Sequence, residues 1–160
     1  MNRFALIRHA KSSWKFPDLT DHQRPLNKRG RNDGPKIGSY LVNKGPFIPN
    51  FFFISTAKRT QETWSYIQEQ LTSSYKYQSL DRLYLCNPSV IWMIIKEHID
   101  SNTIPGIIAH NPSIECVVDN LTKKQENVRV TTGNIIYFQM ENDHWKIIDI
   151  FRPREPKNNF

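Results

Sequence analysis

The chain has 160 residues and a mass of 18.9 kDa, which predicts one domain with a sizeable core. Hydrophobic residues make up 38% of it and the formal net charge at pH 7 is +7, values typical of a soluble protein. Because no apolar stretch approaches the roughly 18 residues of a membrane-spanning helix and the N-terminus lacks a signal-peptide pattern, we expect neither a membrane protein nor a secreted one.

The first predicted element is a strand. The apolar run at residues 4–7 is too short for a helix and predicts a buried strand that stops abruptly at Arg8 and His9. A polar loop with several proline and aspartate residues follows at 11–25. The strand therefore places two strong hydrogen-bonding side chains where the sheet ends and the loop begins.

A helix and a second strand come next. Asn27 is a plausible N-cap of a helix that reaches about Lys44, and Pro35 inside it predicts a kink or a second start, because proline cannot donate to the helical ladder. The apolar run at 51–54 predicts the second strand. The helix after it has a buried stripe made of Ala57, Thr60, Trp64, Ile67 and Leu71, and Arg59 and Thr63 lie off that stripe.

The rest of the chain continues the alternation of strands and helices. The predicted elements are an edge strand at 75–80, helices at 87–99 and 112–121, a strand at 104–109, and an antiparallel hairpin of strands at 134–140 and 145–151. The tail after Pro153 is predicted to be loose. This order predicts a three-layer α/β/α sandwich with a mostly parallel central sheet, and no repeat or linker divides residues 1–160 into smaller units.

Basic side chains follow three of the predicted strands. Arg8 and His9 follow the first, Arg59 follows the second, and His110 follows the strand at 104–109. Parallel strands bring these four side chains to the carboxyl edge of the sheet, where α/β proteins bind ligands. Each residue alone is as readily structural as functional. Two guanidinium groups and two imidazoles at one edge favour a site for a phosphoryl group.

The positive charge is concentrated in the first third of the chain. Residues 1–50 hold ten Lys and Arg against three Asp and Glu, whereas residues 51–160 hold twelve of each. This asymmetry predicts either a field that steers an anionic substrate or simply a solvated basic face. Nucleic-acid binding is disfavoured, since no binding motif is present and aromatic residues do not alternate with the basic ones.

The histidine and cysteine patterns predict no metal site. No short His-x-His or His-Glu-x-x-His spacing occurs among the histidines, which are His9, His22, His98, His110 and His144. Cys86 and Cys116 stand singly in different segments, a pattern typical of free thiols in a reducing cytoplasm.

Four segments together resemble the histidine phosphatase superfamily. They are LIRHA at 6–10, RPL at 24–26 with RG at 29–30, STAKRTQET at 55–63, and HNP at 110–112. Within that superfamily the chain is most similar to the SixA-type phosphohistidine phosphatases, which are small and lack a cap domain. The resemblance implies a phosphoglycerate mutase-like fold and a single histidine phosphatase domain over residues 1–160.

The resemblance also implies roles for the basic residues. His9 would be the nucleophile that carries the phosphoryl group, and Arg8, Arg59 and His110 would bind its equatorial oxygens. Ser12 and Asn111 are further substrate-binding candidates, and no cofactor or metal is implied. General chemistry supports these roles, because phosphoryl transfer depends mainly on positioning and on stabilising spread negative charge.

The chain departs from the superfamily pattern at three points. Ala10 replaces the glycine found in many members, and Lys15 replaces an asparagine, which counts against contacts to sugar phosphates of the mutase kind. No carboxylate matches the glutamate general acid of phosphoglycerate mutase-like relatives. The candidates left open for this role are Asp18, Asp21, His22 and Asp81, or no acid at all.

The missing acid favours a substrate with a good leaving group. A phosphoramidate N–P bond demands less from an acid than an alkyl ester does. The sequence therefore predicts a metal-independent phosphatase that acts on phosphohistidine in a partner protein, with a small phosphate ester as the alternative substrate. A non-catalytic module that binds phosphate through the same residues is the alternative from another class.

Overall fold

The computed structural model describes residues 2–99, 102–124 and 126–154. Within them, one sheet contains the strands β1 (Arg3–Arg8), β2 (Phe51–Ser55), β3 (Lys76–Leu80), β4 (Pro105–Ala109), β5 (Ile135–Glu141) and β6 (His144–Phe151). The α-helices are α1 (Lys28–Asn43), α2 (Lys58–Gln70), α3 (Pro88–Ile99) and α4 (Ser113–Thr122). Short 3-10 turns lie at Asp21–Gln23 and Asp81–Leu83.

The strand order is β3-β2-β4-β1-β5-β6. The first four of these strands are mutually parallel, whereas β5 is antiparallel to both β1 and β6. In register, Arg8 lies opposite Ala109, and Ile54 lies opposite Ile108. The residues that follow β1, β2 and β4 therefore meet at one edge of the sheet, as the positions of the basic residues predicted.

Helices cover both faces of the sheet. Alternate residues of β1 belong to opposite core clusters: Phe4 and Leu6 to the cluster that includes α3 and α4, and Ala5 and Ile7 to the cluster that includes α1 and α2. This double coverage explains why the strand reads as a continuous apolar run. The three-layer α/β/α sandwich with a mostly parallel sheet is confirmed.

Of the kink and the second start predicted as alternatives at Pro35, the second start does not occur. The N-cap of α1 is Asn27, whose side chain accepts a hydrogen bond from the Gly30 backbone at 2.9 Å, but the helix continues through Pro35 without a second start. Close packing explains this continuity. A Cβ atom at Gly34 would lie 2.4 Å from the ring of Tyr66, so α1 and α2 approach at a distance that a glycine-lined face permits. Contacts between the helices thus outweigh the loss of one helical hydrogen bond.

The C-terminal hairpin is confirmed, with Asn142 and Asp143 both at positive φ in its turn. The predicted loose tail lies almost wholly outside the described residues. Arg154, the last described residue, donates from Nε to Oδ2 of the buried Asp33 at 3.1 Å. None of the helices in the described segments is both long and apolar enough to cross a membrane.

Candidate active site

The loop after β1 holds His9 in one tautomer. His9 is 6% exposed, and its Nδ1 lies 2.7 Å from the carbonyl oxygen of Ala10. A carbonyl oxygen can only accept, so Nδ1 carries the hydrogen and Nε2 carries a lone pair. The backbone N–H of Ala10 donates to Oγ1 of Thr63 at 3.0 Å, which ties this loop to α2. A neutral His9 therefore presents an unprotonated Nε2.

Arg59, in the first turn of α2, faces that nitrogen. Its Nε donates to His9 Nε2 at 3.3 Å, and only 3% of the residue is exposed. The helical stripe placed Arg59 and Thr63 outside the buried face, but both are buried, because this flank of α2 packs on the loop after β1 rather than facing solvent. The side chain thus points into the sheet edge and not into water.

His110 completes the group from the end of β4. It is 1% exposed, and its ring centroid lies 5.1 Å from that of His9. The Nε2 atom is 2.7 Å from Oγ of Ser55 at the end of β2. The other ring nitrogen, Nδ1, is buried and has no hydrogen-bond partner among the described residues. One polar atom therefore remains available beside His9.

Arg8 is held by the loop before β5. One guanidinium nitrogen donates to the carbonyl of Val130 at 2.9 Å, while Nε is buried without a hydrogen-bond partner in the described part of the chain. Asn111 donates from Nδ2 to the same Val130 carbonyl at 2.9 Å and to Glu115 at 2.8 Å. Asn111 thus positions the loop that holds Arg8, and both of its amide donor contacts are to protein groups.

Ser12 lies in the polar loop and is buried. Its Oγ accepts a hydrogen bond from Arg24 at 2.9 Å, and its backbone bridges to Leu26. The hydroxyl group therefore helps to hold the buried Arg24. Contacts of Ser12 and Asn111 with substrate remain predictions.

Asp21 links the polar loop to the basic group. Its Oδ1 accepts from Nε and a terminal nitrogen of Arg24 at 3.0 and 2.9 Å. Its Oδ2 accepts from Arg59 at 3.1 Å and from the Tyr84 hydroxyl at 2.5 Å. Burial would raise the pKa of Asp21, but the hydrogen bonds from Tyr84 and Arg24 and the charge of Arg59 outweigh it and hold that pKa well below its ordinary value. Asp21 is therefore a carboxylate that neutralises Arg59.

Both histidines of the group are neutral near pH 7. Burial lowers the pKa of His9 well below 6.5, with further lowering from His110, Arg59 and Arg8. Burial also lowers the pKa of His110 to about 3, helped by the charge of Arg59. A buried imidazole close to guanidinium groups is more stable uncharged, because protonation would add a further positive charge to the group. The lone pair on His9 Nε2 is thus available as a nucleophile at neutral pH.

The structure brings together His9, Arg59 and His110, with Arg8 beside them. The group offers one nucleophilic nitrogen, a guanidinium, and two buried polar atoms without partners, Arg8 Nε and His110 Nδ1. We call these four residues the anion cradle. Such an arrangement suits an oxyanion placed against a nucleophile. In the described segments, no group of three or more His, Cys, Asp or Glu residues could hold a metal ion.

Sequence reasoning missed three supporting residues. Ser55 and Thr63 lie within the STAKRTQET segment, and Thr63 is one helical turn after Arg59, to whose carbonyl it donates at 2.7 Å. Residues four apart lie on the same side of a helix, so this spacing indicated that Thr63 would lie near Arg59. Tyr84, which contacts Asp21, lies in a loop that no periodic pattern places.

Several solved structures with the same fold are of phosphatases. A structure from Agrobacterium tumefaciens assigned as the phosphohistidine phosphatase SixA has a TM-score of 0.86 at 21% identity, covering 95% of this chain and 98% of that one. The protein histidine phosphatase SixA complexed with tungstate has a TM-score of 0.81 at 16% identity, with 94% and 97% covered. A phosphoserine phosphatase from Entamoeba histolytica has a TM-score of 0.70 at 10% identity, with 96% and 98% covered. The fold is that of the histidine phosphatase superfamily, as the four segments predicted.

Sequence relatives define the family more narrowly. The uncharacterized protein ML1117 of Mycobacterium leprae is 34% identical over 124 residues, which cover 76% of this chain and 74% of that protein. The chain belongs to the same family as ML1117. An uncharacterized chloroplastic protein of Arabidopsis thaliana, At3g52155, is 42% identical over 69 residues, but these cover 43% of this chain and only 31% of the plant protein. No model of a known protein family matches the sequence.

Proposed function

We propose that the protein is a metal-independent phosphatase in which Nε2 of His9 takes a phosphoryl group from the substrate and passes it to water. The observation that carries the proposal is the lone pair of this buried nitrogen, fixed by the hydrogen bond from Nδ1 to Ala10 and flanked by Arg59 and His110. A module that only binds phosphate would not need a nucleophile held in this tautomer.

The first step is in-line attack on phosphorus. Arg59 exchanges its hydrogen bond to His9 for one to a phosphoryl oxygen, and Arg8 Nε donates to another. If the Ser55 hydroxyl donates to Nε2 of His110, then Nδ1 of that ring carries the hydrogen and donates to a third oxygen. The N–P bond to His9 forms as the bond to the leaving group breaks.

The second step returns His9 to its starting state. Water attacks the phosphorus of the phosphohistidine, the bond to Nε2 breaks, and inorganic phosphate leaves. The hydrogen bond from Nδ1 to Ala10 preserves the ring orientation through both steps. No metal ion or cofactor is required, since guanidinium and imidazole groups supply the positive charge and the donors.

Phosphohistidine on a partner protein is the proposed substrate. The resemblance to SixA supports it. Large apolar side chains are also exposed next to Arg24 and Tyr84, two hydrogen-bond partners of Asp21. The Trp14 ring is 74% exposed and covers the guanidinium of Arg24 at 3.6 Å, and Leu85 is exposed beside Tyr84. Exposed aromatic groups of this kind suit contact with a protein.

A small phosphate ester is the second candidate. It is favoured by the fold comparison, which includes an α-ribazole-5′-P phosphatase structure from Escherichia coli with a TM-score of 0.72 at 12% identity, covering 96% of this chain. Turnover of a phosphohistidine protein and of a panel of phosphate esters, measured in parallel, distinguishes the two. The proposal expects a higher kcat/KM for the phosphoprotein.

Single-turnover labelling tests the chemistry. Purified protein mixed with a ³²P-labelled phosphoryl donor is expected to carry acid-labile label, and His9→Ala to carry none. His144→Ala, which changes an exposed histidine on β6, is the matched control and should label like the wild type. Label retained by His9→Ala, or activity abolished by excess chelator, would contradict the proposal.

A further inference from the structure

We propose that His22 is the general acid of the phosphoryl transfer, positioned by a hydrogen-bonded chain through Thr56 to Asp81. This inference rests on the proposed function and supplies the acid that sequence reasoning left open among four residues. It assigns a proton donor to the loop after β1 and gives Asp81 a positioning role.

The chain of contacts is continuous. Nε2 of His22 lies 3.0 Å from Oγ1 of Thr56, and that oxygen donates to Oδ1 of Asp81 at 2.7 Å. The three residues come from the 3-10 turn within the polar loop, from the position after β2 and from the turn after β3. Three separate segments of the chain thus converge on one hydroxyl group.

The direction of the hydrogen bonds follows from hydrogen counting. The threonine hydroxyl has a single hydrogen, and it is given to the Asp81 carboxylate, which only accepts. Oγ1 of Thr56 must therefore accept from His22, so Nε2 of His22 carries a hydrogen. Its Nδ1 has no hydrogen-bond partner among the described residues. Nδ1 is then the ring atom that can pass a proton to a leaving group, since Nε2 is held by the hydroxyl of Thr56.

The position of the ring suits transfer to a leaving group. His22 follows Asp21, whose backbone carbonyl accepts from Arg59 at 2.7 Å, so the peptide before His22 lies directly on the anion cradle. The His22 ring contacts Tyr84 edge-on at 4.7 Å between centroids, and Tyr84 contacts His110 in the same way at 5.6 Å. The polar loop therefore holds His22 beside the cradle, on a different segment from the nucleophile.

The surroundings of the other three candidates do not suit an acid. Asp21 is a carboxylate that receives hydrogen bonds from Arg24, Arg59 and Tyr84. Asp81 accepts from Thr56, and Asp18 is exposed and makes no hydrogen bond or ion pair within the described residues. Among the four, only His22 combines a ring nitrogen without a hydrogen-bond partner in the described residues with a hydrogen-bonded link to a carboxylate.

The proton balance of the step is simple. As Nε2 of His9 bonds to phosphorus and the bond to the leaving group breaks, the departing oxygen or imidazole takes the proton from Nδ1 of His22 and leaves neutral. In the second step the attacking water gives a proton to Nδ1 as the phosphorus–His9 bond breaks. Inorganic phosphate departs and His22 is again protonated. Neither an oxidant nor a metal is needed.

Leaving-group dependence tests this assignment. The rate of His9 phosphorylation is measured by rapid quench for wild type and His22→Gln with aryl phosphates, from dinitrophenyl phosphate to phenyl phosphate. The loss in His22→Gln should grow steadily as the leaving group becomes more basic, reaching about 10²-fold for phenyl phosphate, because a poor leaving group depends on the acid. His144→Gln should show no such trend.

Thr56 gives a matched pair of variants. Thr56→Ser keeps the hydroxyl and should retain the wild-type dependence, whereas Thr56→Val and Asp81→Asn should shift toward His22→Gln by a smaller factor. A loss of the same size for every leaving group in His22→Gln, or identical behaviour of Thr56→Ser and Thr56→Val, would overturn the assignment. Absence of a phosphorylated His9 in the wild type would instead overturn the proposed function.

Discussion

The anion cradle and the polar loop at residues 11–25 are built on different principles. The cradle residues follow the ends of buried strands, and His9, Arg59 and His110 are almost completely buried. The loop at residues 11–25 has no strand or α-helix of its own, and much of it is exposed. The loop contacts the cradle chiefly through Asp21, whose carboxylate forms an ion pair with Arg59.

This difference separates two tasks. Groups at the ends of packed strands are held with the precision that the proposed attack on phosphorus requires. A loop with few buried contacts can adapt to the rest of the substrate and carries the proposed proton donor. We therefore expect changes in the cradle to affect every substrate alike, and changes in the loop to affect substrates differently.

Removing a cradle charge should have the largest effect. Arg59→Ala is expected to lower kcat/KM by about 10²–10³-fold, or roughly 3–4 kcal/mol, because a donor to the developing charge is lost. The loss should be similar for aryl phosphates and for a phosphohistidine protein. Lys58→Ala, an exposed neighbour in the same helical turn, is the matched control and should keep most activity. A loss confined to one substrate would mean that Arg59 acts in recognition rather than in transfer.

Burial of the cradle should also appear in the pH dependence of stability. The pKa of His110 falls from 6.5 to about 3 on folding, so below pH 6.5 the unfolded chain binds a proton that the folded protein does not. The free energy of unfolding should therefore fall as the pH drops from 6.5 toward 4, with His110 contributing up to about 1.4 kcal/mol per pH unit. His9 contributes with the same sign, since its pKa is also lowered.

Urea unfolding at several pH values measures this slope. His110→Gln should flatten it, while His144→Gln, at an exposed position, should leave it unchanged. The pKa of Asp21 is also lowered from its ordinary value of 3.8, so the contribution of Asp21 to stability is lost only at a pH more acidic than this titration covers. An unchanged slope in His110→Gln would show that this ring titrates normally in the folded protein.

The smallest expected effect is on the loop surface. Trp14→Ala should raise KM for a phosphohistidine protein by about 3- to 10-fold, roughly 1 kcal/mol, because an exposed aromatic contact with the partner is lost. The kcat/KM for an aryl phosphate should stay within about twofold, since the ring does not contact the anion cradle. Met93→Ala on α3 removes another exposed apolar side chain and serves as control. An equal loss of kcat/KM with both substrates would instead mean that Trp14 acts by holding Arg24 in position.

Sequence patterns predicted the elements whose side chains are buried in a regular way. β1, β2 and β4 are short apolar runs because both faces of the sheet are covered, and Asn27 and Pro88 mark helix starts by their own backbone chemistry. Tertiary contacts outweighed local preference at one proline. Pro35 does not start a second helix within α1, because that helix packs closely on α2.

The convergence of the basic residues at one sheet edge could likewise be predicted, but most of the contacts that support them could not. Basic residues after three strands indicated the sheet edge, since parallel neighbours end together. The pairing of His110 with Ser55 and the hydrogen bonds of Asp21 depend on the paths of two loops. Loop paths carry no periodic signal, because their side chains contact segments that are distant in sequence.

The amino-acid sequence alone determined the layered α/β architecture, the strand ends that carry Arg8, His9, Arg59 and His110, and the phosphoryl chemistry these residues favour. Periodic burial and strand-end position are local properties, so they can be recognised in one chain. Only the tertiary structure decided which nitrogen of His9 bears the lone pair, that Asp21 is a counter-ion, and that His22, Thr56 and Asp81 form one chain. Hydrogen-bond partners are chosen by three-dimensional proximity, and folding alone creates that proximity.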